Sequence, residues 1–136
     1  MPGPLGTQPD AGVARGKPEE TFDTAIELFE NAPQGTTAIG FRILGVLRKA
    51  RQSGALSFAP LAEDGISSPS GGWIKIADRL QNDPVRTSIW MVHEAYHVAV
   101  VNDKMLYVDE EIQSRLIQGE YSIYLEDTGG RLKNGR

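Results

Sequence analysis

Apolar positions along this chain alternate between helical and extended spacing. Within Thr21–Asn31, Phe22, Ile26 and Phe29 share one helical face and Asp23, Glu27 and Glu30 the other. Ala32-Pro33-Gln34-Gly35 breaks that helix. A second is predicted over Thr36–Ser53, with Ile39, Ile43, Val46, Leu47 and Ala50 in register and Lys49, Arg51 and Gly54 at its close. Ala55–Ala59 alternates and stops at Pro60, a short strand. Glu63–Gly72, rich in Ser, Gly and Asp, reads as loop, and Trp73–Ala77 as a second strand. Asp83 and Pro84 are a cap and a first helical residue. The segment after them, to Val101, is apolar on several sides, as a buried central helix requires. Past Asn102-Asp103, a loop or hairpin carries Met105–Val108, and Asp109 caps a last helix to Glu126 with Ile112, Leu116 and Ile123 on one face. The class is α+β.

The ends differ in composition. Met1–Glu20 holds four prolines and four glycines, which predicts an extended tail, and Gly3-Pro4-Leu5-Gly6 looks like a cloning remnant. Thr128–Arg136 is Gly-rich and basic, a second tail. One domain is therefore expected over residues 21–127, long enough to bury a core without staples. The N-terminus has neither the basic nor the apolar region of a secretory signal, and no apolar run reaches the length of a membrane span.

Lysine and arginine number 14 against 18 aspartates and glutamates, a net charge of −4. With no basic patch, nucleic acid is a poor partner. Cysteine is absent, which removes disulfides, thiolate metal sites and thiol nucleophiles together. Only two histidines occur, His93 and His97, and both belong to His93-Glu94-Ala95-Tyr96-His97. This is H-E-x-x-H on the predicted central helix. Residues four apart share a helical face, so both imidazoles can reach one Zn²⁺, with Glu94 as general base toward zinc-activated water. Such a centre needs a third protein ligand. The longer metzincin pattern would need Gly and His where Val100 and Asp103 stand, so the ligand must be a carboxylate. Asp103, Asp109, Glu110, Glu111 and Glu120 are the downstream choices.

In these features the chain resembles a minimal zincin of the gluzincin kind, similar to small metallopeptidase domains of bacterial effectors and toxins. In those, the HExxH helix is followed by one opening with a run like D/S-E-I-x-A-x-x-x-Q-x-E-Y, whose first Glu binds zinc. Here Glu111-Ile112-Gln113-Ser114 with Gln118 and Glu120-Tyr121 fits that run, and Arg115 departs from it, where an aromatic residue is more usual. The resemblance covers roughly Thr36–Glu126 and implies Glu111 as third ligand. It also implies that the strand near 73–77 is a sheet edge to which an extended peptide adds. Helical periodicity bears on the same choice. Ser114, Arg115, Gln118 and Ser122 share the face of Glu111, a polar strip, whereas Ile117, Tyr121 and Tyr124 share that of Glu110. Glu111 is favoured and Glu110 stays open.

The expected function is hydrolysis of peptide bonds by a zinc metallopeptidase with ligands His93, His97 and Glu111 and base Glu94. Arg115, Tyr107 and Tyr121 are the candidates to stabilise an oxyanion. Two alternatives share these residues: a zincin-like module that only binds a protein partner, and an amidase or peptidase acting on peptidoglycan. The effector resemblance further implies delivery by a specialised secretion system and a cognate immunity protein.

Overall fold

The computed structural model describes residues 17–129. The expected tails fall outside them except at their inner ends, and both of those ends are helical. Helix α1 spans Pro18–Glu30, three residues earlier than periodicity places it, because Pro18 suits a first turn and Glu20 accepts from the Lys17 N–H (3.0 Å). After a 3₁₀ turn at Pro33–Thr36, Thr37 caps helix α2, Ala38–Ser53, by accepting from Gly40 N–H, and a left-handed Gly54 closes it.

Three short strands follow: β1 (Leu56–Ala59), β2 (Gly65–Ser67) and β3 (Ile74–Ala77). Their order is β1-β3-β2, with β1 parallel and β2 antiparallel to β3. The strand expected at the sheet edge near 73–77 is therefore the central one. Residues read as loop extend as β2 and occupy that edge, with Gly65 opposite Ile76 and Ser67 opposite Ile74. Ile74 and Ile76 turn into the core, while Trp73 stays at the surface beneath the Lys75 ammonium.

Helix α3 (Pro84–Ala99) is the hub, packed on α1, α2, the sheet and the last helix, α4 (Tyr107–Thr128). Asp83 caps α3 as expected, accepting from Arg86 N–H. At its far end Arg42 reaches from α2 to the carbonyl of Ala99 and holds the Asp103 carboxylate with both terminal nitrogens (2.9 and 3.0 Å). That bond keeps the Asp103 carboxyl below the usual range. The core gathers Phe22, Phe29, Ile43, Leu47, Ile76, Met91, Val92 and Tyr121. Phe22 stacks on Phe58 (centroids 4.3 Å), and Phe29 meets Tyr121 edge-on (5.0 Å), which ties α1 to the sheet and to α4. Among the described residues no helix is long and apolar enough to cross a membrane.

One expectation about α4 changes and another is filled in. Leu106, not Asp109, precedes its first residue, and Asp109 lies in the first turn, where an acid still suits the helix dipole. Ile112, Leu116 and Ile123 do share a face, but it is the outer one. The buried residues are Ser114, Tyr121 and Leu125, because Tyr121 fills the gap against Phe29 and Ser88.

Candidate metal centre

The histidines stand four residues apart on α3, on the side left half-open by the burial of Met91, Val92, Ala95 and Tyr96. Their ring centroids are 5.0 Å apart. Trp90 borders His93 edge-on (5.2 Å) and Tyr96 borders His97 (5.9 Å), so both rings are wedged in orientation.

Helix α4 supplies a partner to each Nδ1. Ser114 Oγ lies 2.9 Å from His93 Nδ1, and Glu110 Oε2 lies 2.5 Å from His97 Nδ1. The Glu110 carboxylate accepts from His97 Nδ1 and so turns that ring's Nε2 outward, while Ser114 orients the His93 ring from its Nδ1 side. The Nε2 atoms meet carboxylates instead. Glu111 Oε1 is 3.1 Å from His97 Nε2, and Glu94 Oε2 is 3.9 Å from His93 Nε2. Both acids weighed from the sequence thus attend His97, on opposite nitrogens.

Glu94 is buried yet partnered, because Ser67 on β2 donates to its Oε1 (2.8 Å). Gly65 allows this approach. A Cβ there would sit 3.3 Å from Glu94 Cγ and 3.2 Å from Ile76 Cδ1, tighter than side chains ordinarily pack. Burial lowers the His93 pKa and His97 adds to the effect, against Glu94, Gln118 and Glu111. The neutral imidazole, the form that ligates a metal, is accordingly favoured.

This donor set fits a divalent ion. An imidazole whose Nδ1–H is on Glu110 turns its Nε2 toward Glu111, a gap that a second ring proton or a bound cation would bridge. Two donors about 2.1 Å from a common tetrahedral ion stand about 3.4 Å apart, close to the Glu111–His97 separation. In the present conformation, and among the described residues, no three His, Asp or Glu side chains are already drawn into one coordination sphere. His93, His97 and Glu111 are the residues that could hold an ion, with Ser114 and Glu110 behind them.

The other sequence candidates are accounted for. Asp103 is spent on Arg42, while Asp109 and Glu120 are exposed. Tyr121 is withdrawn as an oxyanion stabiliser, since it is fully buried with its hydroxyl on Ser88 Oγ (2.6 Å). Tyr107 is exposed, and Arg115 reaches outward with only a 4.0 Å approach to Glu111. Ser67 was missed. It lies in a Ser/Gly run, and only the β2–β3 register brings it to Glu94. Compared with known protein families, characterised proteins and solved structures, the chain matches none.

Proposed function

We propose that this chain is a zinc-dependent peptidase with a zincin-like fold of the gluzincin kind, its ion held by His93, His97 and Glu111. One observation carries the reading: both Nδ1 atoms are engaged from α4, so the two Nε2 atoms are left to face Glu111 and Glu94. When bound, Zn²⁺ supplies Lewis-acid polarisation of an amide carbonyl and makes the attacking water more acidic. Glu94 receives the water proton and returns it to the leaving amine, and Ser67 holds one carboxylate oxygen so that the other faces the reaction. Strand β2 lies at the sheet edge and carries Ser67, so an extended peptide adding there would pass beside Glu94. A peptide or protein is the substrate class, and the effector resemblance makes a cognate immunity protein the expected partner.

Elemental analysis of the purified chain tests the centre: about one zinc per chain is expected, and loss of that zinc in His97→Ala. Equal zinc in the two proteins refutes the site. Glu94→Ala should keep the metal and lose hydrolysis across a panel of peptide and peptidoglycan substrates. Undiminished hydrolysis by that variant removes Glu94 from its role.

A further inference from the structure

Arg86 carries a charge that the fold does not spend. Among the described residues every other arginine lies within 4.0 Å of a carboxylate: Arg42 of Asp103, Arg48 of Glu30, Arg51 of Asp23, Arg79 of Asp64 and Arg115 of Glu111. Arg86 is exposed, and among those residues its guanidinium has neither an ion pair nor a hydrogen bond. Its place on α3 gives that freedom a meaning. Arg86, Trp90, His93 and His97 follow at steps of four, three and four, so they form one stripe, with Arg86 about 20° around the helix from His93. Trp90, half-buried and edge-on to His93, lies between the arginine and the centre. Helix α4 runs antiparallel to α3, since Glu110, Ser114 and Tyr121 meet His97, His93 and Ser88 in that order. Its half-buried Gln118 and Ser122, on the face of Glu111, therefore come level with Trp90 and Arg86, and neither can neutralise a guanidinium. Arg86 also belongs to the first turn of α3, where the helix dipole favours an anion.

The sheet edge sets the direction of approach. Strand β2 tracks α3 in the same sense: Gly65 and Ser67 lie against Glu94, and Gly71, farther on, against Val98 and Val101. The Asp64 carbonyl and the Ser68 N–H bond to β3 and its flank, so the alternate residues Gly65 and Ser67 turn their backbone groups to the open edge. A peptide adding there in the commoner antiparallel sense runs opposite to α3 and carries its C-terminal side toward Arg86. Arg86 stands about 10 Å along the axis from His93, and its side chain can span about half of that. A residue about two to four places past the scissile bond, at about 3.3 Å each, comes within its reach. Resting on the peptidase reading above, we infer that Arg86 is a specificity residue of this cleft. It receives a substrate carboxylate at those positions, from an Asp or Glu side chain or from the peptide's own C-terminus.

Digestion of a proteome-derived peptide library by the full chain, read by mass spectrometry, tests this. Asp, Glu or the chain end should be enriched about two to four positions past the cleaved bond. Enrichment of Asp and Glu within long peptides assigns the side-chain source, and cleavage confined to the last few bonds assigns the C-terminal carboxylate. Arg86→Gln should erase the enrichment and Arg86→Glu should replace it with Lys and Arg, while both variants keep their zinc and their melting temperature. Binding is read apart from hydrolysis in Glu94→Ala by calorimetry with acetyl-Ala-Ala-Ala-Glu-Ala-Ala-amide and its Gln counterpart. The Glu peptide should bind about 5-fold tighter, and Arg86→Gln/Glu94→Ala should bind the two alike. Cleavage without an acidic preference, a preference that survives Arg86→Gln, or equal affinity of Glu94→Ala for both peptides overturns the inference and leaves the peptidase standing. Arg86-dependent binding with no cleavage of any peptide does the reverse, sinking the peptidase and keeping the carboxylate site.

Discussion

Ser88→Ala tests how the helix bearing the acids is held against the helix bearing the histidines. Ser88 Oγ is fully buried and donates to the Ala25 carbonyl of α1 (2.7 Å), so its one proton is spent. The 2.6 Å contact with Tyr121 must then run from the phenol into Ser88. Deleting Ser88 Oγ costs about 1 kcal/mol for the bond to Ala25 and about 1–3 kcal/mol for a Tyr121 hydroxyl left in a dry interior. The sum is about 2–4 kcal/mol, and at about 4 °C per kcal/mol for a domain of this size the melting temperature should fall by about 8–16 °C. Tyr121→Phe removes the phenol but leaves Ser88 its acceptor, so that loss is about 1 kcal/mol. The discriminating protein is the double variant. Ser88→Ala/Tyr121→Phe has no orphaned hydroxyl and should melt above Ser88→Ala alone in calorimetry. If it melts at the same temperature or lower, the orphaned phenol is not the source of the cost and the reasoning fails.

Other consequences are equally measurable. Glu111→Gln should lower zinc affinity more than Glu110→Gln, whose effect, acting through His97 Nδ1, should be about 10–100-fold in competitive chelator titrations; the reverse order would exchange their assignments. Gly65→Ala should destabilise the fold by about 1–3 kcal/mol in denaturant titrations, because the new methyl meets Ile76 and Glu94; an unchanged midpoint would show that β2 can draw away freely. Burial pushes the Tyr121 pKa up, while an unfolded tyrosine ionises near pH ~10. The protonated phenol is thus favoured in the fold. Its contribution is intact below pH ~10 and is lost as pH rises beyond it, so Tyr121→Phe should flatten the alkaline fall in stability.

The sequence made three helices legible by different signals: one apolar stripe in α1, a stripe closed by Gly54 in α2, and the Asp83-Pro84 start of α3, whereas the Pro18 start of α1 and the Thr37 cap went unread. HExxH was equally visible, since its spacing acts within a single helix. In helix α4 the sequence left open which face is buried, for a physical reason. Ile112, Leu116 and Ile123 are as periodic as Ile117, Tyr121 and Leu125, and periodicity does not say which stripe the fold buries. That choice is made by Tyr121, which matches both the edge of Phe29 and the hydroxyl of Ser88. Strand β2 was hidden because Gly65-Ile66-Ser67 is extended by pairing with β3 and not by its own propensity. Ser67 and Ser114 touch the centre from 27 and 21 residues away, a distance over which local pattern carries no information.

The division of labour between α3 and α4 has a thermodynamic corollary. One helix contributes both imidazoles, and the other contributes Glu110, Glu111 and Ser114. An ion bound by both helices is therefore a gauge of their separation. By reciprocity, whatever free energy the ion adds to their apposition, a perturbation that spreads them subtracts from its affinity in equal measure. Ser88 and Tyr121 sit inside the core and supply no ligating atom, yet zinc affinity should register their loss as a lengthened ruler.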